Sequence, residues 1–270
     1  MRKVLLLTGL LMMLLVSTVW ANGEFSDEGY VEATGVGEPG QSYSAGIRAA
    51  ELVAFRKVAQ EIADMSIDSD TTVEQGMTLN DTIRTKIKAV LHHAKVVNEY
   101  KGSDGYYYAT VRVPVFGSNS IASAVLPKNE KIEPFPQPQV KVVQPGVDVR
   151  ESHDTIVLAG NYTGVIIDCR GLGLATAMSP VIKTDKGEKI YGYKNLDTEL
   201  VINKGMASYA KSTTANVSRA GSNPLIIKAV DVEGYGKKCN PVISTTDANR
   251  LLAENANGHF LEACAVVFVR

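Results

Sequence analysis

A proline-rich stretch in the middle of the chain constrains the fold more than any other feature. Five of the ten prolines of this 270-residue chain fall between Pro127 and Pro145, in the sequence PKNEKIEPFPQPQVKVVQP. A stretch of this composition stays extended and semi-rigid, and its prolines fit neither a helix interior nor a central strand. It therefore predicts a linker over residues 125–151, between an N-terminal domain at 27–124 and a C-terminal domain at 152–270.

The N-terminal domain carries the patterns of two helices on a small antiparallel sheet. Residues 29–37 (GYVEATGVG) alternate as a half-buried strand does, and residues 44–65 repeat apolar side chains with the period of a helix. A second helix at 81–94 has Asn80 as a suitable N-cap. The hairpin that follows has strands at 95–101 and 106–115. The predicted apolar stripe of the first helix comprises Leu52, Phe55, Val58, Ala59 and Ile62.

The C-terminal domain is predicted to be rich in strands and to contain one short helix near its end. A hairpin is expected with Lys186 and Gly187 at its turn, and the short helix is expected to be capped by Thr245 or Thr246. Together the two domains predict an α+β fold. The remaining predicted elements are strands at 154–160, 162–169, 223–233 and 262–270 and the helix at 245–256.

The start of the chain has the composition of a secretory signal peptide. Arg2 and Lys3 precede an uncharged apolar run, and Val19 and Ala21 are small residues at the −3 and −1 positions of a cleavage site. We predict a signal peptide over residues 1–21. An uncleaved anchor is the alternative, but a spanning helix needs about 20 apolar residues and this run is shorter.

Export limits the functions that the sequence allows. Cleavage after Ala21 removes two basic residues and changes the formal charge from −1 to −3, so no nucleic-acid partner is expected. The first cysteine is Cys169, far beyond the apolar run, and no lipid anchor is evident. We expect the mature protein in the periplasm or at the periphery of the outer membrane.

Three glycines have the spacing of a dinucleotide-binding loop, but their context differs from one. Gly35, Gly37 and Gly40 form G-x-G-x-x-G. A dinucleotide site follows a fully apolar parallel strand, whereas this strand carries Glu32 and Thr34 at alternate positions. We therefore expect no cofactor. We interpret the glycines as a strand-to-helix turn that needs positive φ.

A second glycine-containing stretch, DCRGLG, is the best candidate for a binding site. Asp168, Arg170, Gly171 and Gly173 follow the apolar strand GVIID, and the ends of strands in open sheets are common places for ligand groups. In one interpretation Asp168 and Arg170 form an ion pair that holds the turn. In the other they bind a small anionic ligand, and Arg219 or Asn223 supplies a second polar group.

The sequence assigns no catalytic residue and no metal site. Cys169 as a nucleophile would need a histidine base, and none of the four histidines stands in such a motif. His92 and His93 are adjacent, so on a helix their side chains diverge by about 100° and cannot easily share an ion. Two alternatives stay open for the cysteines, namely one disulfide with a leftover thiol, or buried free thiols. The cysteines are Cys169, Cys239 and Cys264.

The N-terminal domain resembles a group of bacterial envelope proteins. A leader, the segment ATGVG, the Ala-rich helix and the closing strand YYATVRVPV are similar to the small flagellum-linked outer-membrane lipoproteins and to the N-terminal domain of flagellar assembly protein T. This resemblance covers about residues 27–120 and implies a non-enzymatic role beside other envelope proteins. The missing anchoring cysteine departs from the lipoprotein members. The stretch YTGVIIDCRGLGLATAMSPVI resembles a domain of uncharacterised bacterial secreted proteins.

These observations predict an exported, non-enzymatic envelope protein that acts through protein–protein binding. Its expected partners are other envelope proteins or further copies of itself, in an outer-membrane or flagellar assembly. The alternative is a periplasmic small-ligand binder or hydrolase with its site around Asp168–Gly173.

Overall fold

A computed structural model describes residues 29–144, 146 and 155–270. The predicted signal peptide lies outside the described residues, as do several residues of the predicted linker. Six helices are described: α1 Tyr43–Asp64, α2 Val73–Leu79, α3 Asp81–His92, α4 Ile121–Val125, α5 Thr198–Lys204 and α6 Thr245–Gly258. Thirteen strands are described: β1 Tyr30–Gly37, β2 Lys95–Lys101, β3 Tyr107–Pro114, β4 Lys141–Val143, β5 Thr155–Val157, β6 Gly164–Asp168, β7 Ile182–Thr184, β8 Lys189–Tyr191, β9 Ser208–Ala210, β10 Pro224–Lys228, β11 Asp231–Glu233, β12 Asn240–Ile243 and β13 Val266–Val269.

The first half is a three-stranded antiparallel sheet with helices on one face. The strand order is β1-β3-β2, and Val31 pairs with Val113. Asn80 is the N-cap of α3, as predicted, because its side chain accepts from the amides of Thr82 and Ile83. The predicted stripe of α1 was partly wrong, since Leu52 is 56% exposed. The buried face of α1 consists of Gly46, Ile47, Ala50, Ala54, Val58 and Ile62.

The glycines at 35 and 37 serve a different purpose from the one that we predicted. Both lie inside β1 and not in a turn, and only Gly40 has a positive φ, of 83°. A Cβ on Gly35 would lie 2.0 Å from the carbonyl oxygen of Ala50 on α1. A Cβ on Gly37 would lie 2.2 Å from the carbonyl oxygen of Gly46. Helix and strand backbones are therefore in direct contact here, which only glycine permits.

The second half confirms the α+β prediction and adds a parallel sheet. Strands β10-β6-β13-β9 form this sheet, in which every neighbouring pair is parallel. A second sheet, β11-β12-β7-β8, contains the predicted hairpin, with Lys186 and Gly187 between β7 and β8. The cap of α6 is Ser244, whose side chain accepts from the amide of Asp247. It is therefore neither Thr245 nor Thr246.

In its described part, the proline-rich segment contacts the second half at several points between Asn129 and Gln139. The backbone amide of Asn129 donates to Thr198 Oγ1 at 2.9 Å. Further along, the ring of Phe135 stacks on that of Tyr191, with 6.2 Å between centroids. The amide of Gln139 donates to the side chain of Asn249 at 2.8 Å.

The two halves also contact each other directly. The amides of Met178 and Ser179 donate to the carbonyls of Ser66 and Ile67. The largest cluster of buried apolar side chains continues from the first half, with Val113, into the second half. The division into domains at 27–124 and 152–270 stays a prediction. Among the described residues, no helix has the length and apolar character needed to cross a membrane.

Candidate functional site

The turn after β6 holds the central pair of the predicted site. The carboxylate of Asp168 accepts three hydrogen bonds from Arg170: from its backbone amide at 3.2 Å, from Nε at 2.8 Å and from Nη2 at 2.6 Å. Gly171 and Gly173 follow with φ of 80° and 74°, so the chain reverses there in a conformation that favours glycine. The guanidinium of Arg170 thus bonds the carboxylate of Asp168 and closes the turn.

The two side-chain hydrogen bonds from Arg170 determine the direction in which the pKa of Asp168 is shifted. They lower the pKa of the Asp168 carboxyl below the ordinary value, and the charge of Lys228 on the neighbouring strand lowers that pKa further. Asp168 is therefore ionised throughout the neutral range and has no proton to donate. The Arg170 side chain is 52% exposed, which limits the strength of the pair.

The structure places the other two predicted residues at the opposite end of the same sheet. Along the parallel pair β6 and β10, Gly164 lies beside Pro224 and Asp168 beside Lys228. Asn223 precedes Pro224, so it is five residues from Lys228, and about 16 Å of strand separates it from Asp168. Its side chain donates to the carbonyl of Asn161 at 3.1 Å.

Arg219 is engaged at that same end by backbone carbonyls. It donates to Gly205 at 3.0 Å, to Cys264 at 3.3 Å and also to Lys204. Sequence reasoning could not find this role, because the three carbonyls come from two segments 45 and 15 residues away. Arg219 and Asn223 thus do not converge with Asp168 and Arg170. Ligand binding at Asp168–Gly173 stays a prediction.

The cysteines are free and buried. All three thiols lack a disulfide partner, and burial raises the pKa of Cys169 and of Cys239 to about 12. Burial also raises the pKa of Cys264. Because the thiolate is the nucleophilic form, these thiols are unreactive at neutral pH. Within the described ranges, no group of three or more His, Cys, Asp or Glu side chains could hold a metal ion.

Two cavities lie away from the DCRGLG turn. One of about 280 Å³ lies between α3 and α4 and is lined by residues that include Lys86, His93 and Asn119. The other, of about 240 Å³, lies between the proline-rich segment and α6, and Glu188 and Asn249 are among its lining residues. Neither cavity includes Asp168 or Arg170 in its lining.

Strand β2 is the most open element of the first half, and sequence analysis did not single it out. It is an edge strand of its sheet, and all seven of its residues are exposed. Val97 interrupts the register with β3, because the pairing shifts between Val96 and Asn98. The sequence KVVNEYK contained a signal, since its polar residues occur on both faces, which is typical of a strand that nothing covers.

The outer face of this sheet carries an aromatic pair next to the open edge. The ring of Tyr100 on β2 stacks on that of Tyr108 on β3, with 5.0 Å between centroids. Tyr108 is held in turn, because its hydroxyl donates to the carboxylate of Asp104 at 2.6 Å. Tyr100 is 45% exposed and points to solvent on the side away from α1.

Comparison with known proteins divides the chain on either side of the proline-rich segment. Residues 19–114 match the family described as LPP20 lipoprotein, and this match indicates an exported protein of the cell envelope. Residues 164–270 match the family described as Treponema pallidum Tp0624, second domain. No curated protein matches the chain. The chain therefore combines a region similar to the LPP20 lipoproteins with a region similar to the second domain of Tp0624.

Proposed function

We propose that this protein is a non-enzymatic component of the bacterial envelope that acts by binding other proteins. The similarity of residues 19–114 to the LPP20 lipoproteins supports export to the envelope. The resemblance to flagellum-linked lipoproteins and to flagellar assembly protein T supports an outer-membrane or flagellar assembly as the setting. The periplasm and the outer-membrane periphery are both compatible with this role.

The open edge of β2 is the observation that carries the proposal. An edge strand offers unpaired amides and carbonyls, to which an extended segment of another chain can add as a further strand. Helix α1 packs mainly against β1 and β3, and all seven residues of β2 stay exposed. Val96, Val97 and Tyr100 give this strand exposed apolar surface beside its polar groups.

The alternative function, ligand binding or hydrolysis around Asp168–Gly173, has weaker support. The carboxylate of Asp168 and the guanidinium of Arg170 are bonded to each other. A hydrolase also needs a general base or a nucleophile near its substrate. Cys169 is the nearest candidate, and burial raises its pKa to about 12.

Site-specific photocrosslinking in intact envelopes tests the proposed function. A photoreactive amino acid replaces Val97 in the bulge of β2. A matched control replaces Leu79, which is 84% exposed at the end of α2. We expect ultraviolet light to produce a discrete protein adduct from position 97 and not from position 79. The complex should survive in an Arg170→Ala variant, since Arg170 takes no part in binding.

Two outcomes would contradict the proposal. Absence of any protein adduct at position 97 would show that β2 meets no partner in the envelope. Thermal stabilisation of the purified chain by a small anion, abolished by Arg170→Ala, would favour the alternative function.

A further inference from the structure

The residues at the exposed edge of β2 are complementary to the same residues of a second copy of the chain. We propose that two copies of this chain pair antiparallel through Glu99, Tyr100 and Lys101 of β2, with Tyr100 on the twofold axis. The two sheets would then form one continuous six-stranded sheet, in the order β1-β3-β2-β2-β3-β1. This inference rests on the proposed function and names the partner of that same edge.

The backbone alternation fixes which groups are available for this pairing. Gly102 donates its amide to the carbonyl of Tyr106 at 2.8 Å. In an antiparallel ladder the groups that face the partner strand alternate, so Tyr100 also faces β3. The amides and carbonyls of Glu99 and Lys101 therefore face the open edge. They are the groups that a second strand would engage.

Placing Tyr100 opposite Tyr100 uses all of these groups. Glu99 of one copy then lies opposite Lys101 of the other, and this pair exchanges two backbone hydrogen bonds. The twofold axis repeats the pair, which gives four bonds in total. Tyr100 forms the intervening pair without backbone bonds, the class in which side chains approach most closely.

The side chains agree with the same register. Glu99 pairs with Ala109 and Lys101 with Tyr107, and both of these β3 residues are buried on the face toward α1. Glu99 and Lys101 therefore share one face, where opposite charges directly across a strand pair stabilise it. Tyr100 lies on the other face, and its copy would extend the Tyr100–Tyr108 stack into a row of four rings.

Other registers would place poorly matched side chains opposite each other. Centring the pairing on Asn98 would set Lys95 against Lys101, but Lys95 pairs with Arg112 on the outer face and Lys101 with buried Tyr107 on the face toward α1, so this register forms no charge pair on one face. The same register would set Tyr100 against Val96. These two residues lie on opposite faces of the sheet, because Val96 pairs with buried Val111 and Tyr100 with Tyr108. The bulge at Val97 also ends the regular edge, so the pairing is confined to a short segment.

Charge reversal tests the register with the mature full-length chain. Sedimentation equilibrium should show a concentration-dependent dimer. Glu99→Lys alone and Lys101→Glu alone each place like charges opposite at two positions, and each should raise the dissociation constant about tenfold or more. The double variant Glu99→Lys/Lys101→Glu restores both pairs, and it should return the dissociation constant to within about threefold of the parent.

Disulfide trapping tests the position of the axis. Tyr100→Cys should form a disulfide-linked dimer under mild oxidation, because residues on the axis lie opposite their own copies. Asn98→Cys is the matched control on the same strand. Position 98 lies opposite Gly102 of the other copy, so this variant should run as a monomer in non-reducing electrophoresis. The native cysteines are buried and should not contribute.

Several results would overturn the inference. They are a chain that stays monomeric at every concentration, a dimer that is indifferent to the single charge reversals, a double variant that stays weakened, or equal trapping at positions 98 and 100. The photocrosslinking experiment keeps the proposed function separate. An adduct at position 97 with a different protein supports binding in the envelope even if no dimer forms.

Discussion

The pair formed by Asp168 and Arg170 shows how one residue can hold a turn. The guanidinium reaches back two residues and bonds the carboxylate with Nε and Nη2. Lysine at position 170 would keep the charge and lose the fork. We therefore expect Arg170→Lys to lower the free energy of unfolding by a small, measurable amount, which the exposure of the side chain limits.

Chemical denaturation of the purified chain measures this change. The control is Arg48→Lys on the exposed side of α1, which should leave the unfolding free energy unchanged. An Arg170→Lys variant as stable as the parent would oppose the structural role of Arg170. It would instead favour a ligand as the guanidinium's partner.

The same pair predicts how stability depends on pH. The hydrogen bonds from Arg170 lower the pKa of Asp168 in the folded state, while an unfolded aspartate titrates near pH 4. The stabilisation is therefore complete above about pH 5 and is lost as the pH falls toward the folded pKa. Asp168→Asn should be less stable than the parent at pH 6, and this difference should shrink steadily between pH 5 and pH 3. A difference that is constant over this range would show that the carboxylate is not stabilised in the fold.

At this scale the sequence predicts interactions between near neighbours and misses those between distant ones. Asp168 and Arg170 could be paired from their spacing. The partners of Arg219 could not, because its bonds go to main-chain carbonyls of Lys204, Gly205 and Cys264, which carry no signal in their side chains.

At the scale of elements, the contact between α1 and β1 depends on the absence of side chains. A methyl group on Gly35 would overlap backbone atoms of Ala50 and Ala54, which cannot turn aside as a side chain could. We expect Gly35→Ala to lower the unfolding free energy by about 3 kcal/mol, the upper range for an overpacked core.

Gly40→Ala provides a control within the same motif. Its φ is 83° and the space around its Cβ position is open, so only the strain of the left-handed backbone applies. That strain is about 1 kcal/mol. Thermal or chemical unfolding compares the two variants. Equal destabilisation by both would mean that α1 can move away from β1.

Elements with a strong local pattern were predictable, and their pairing was not. The period of α1 and the alternation of β3 follow from the sequence, whereas the short helices α2 and α5 have too few turns to show a period. The stretch 223–233 was predicted as a single strand. It divides into β10 and β11 in two different sheets, because a strand's partners come from distant parts of the chain.

On the scale of the whole molecule, the contacts between the halves predict coupled unfolding. A Cβ on Gly205 would lie 2.6 Å from the ring of Phe116, so this ring lies directly against the second half. We expect the full chain to unfold in one calorimetric transition. Phe116→Ala should move this transition as a whole to lower temperature, by an amount equivalent to about 1–3 kcal/mol.

A matched comparison uses Tyr43→Ala, since Tyr43 is exposed on the first half and away from this contact. Two transitions, of which Phe116→Ala moves only one, would show that the halves unfold separately. That result would support the independent domains predicted from the proline-rich segment.

The attachment of the proline-rich segment has a mechanical consequence. A slack connector between two domains lengthens first when they are pulled apart, and it absorbs the displacement. Here Asn129, Phe135 and Gln139 fasten the connector to the second half, so no slack is available until those contacts break. A force applied to one half would therefore reach the other with almost no extension of the connecting segment, and the molecule would transmit tension stiffly.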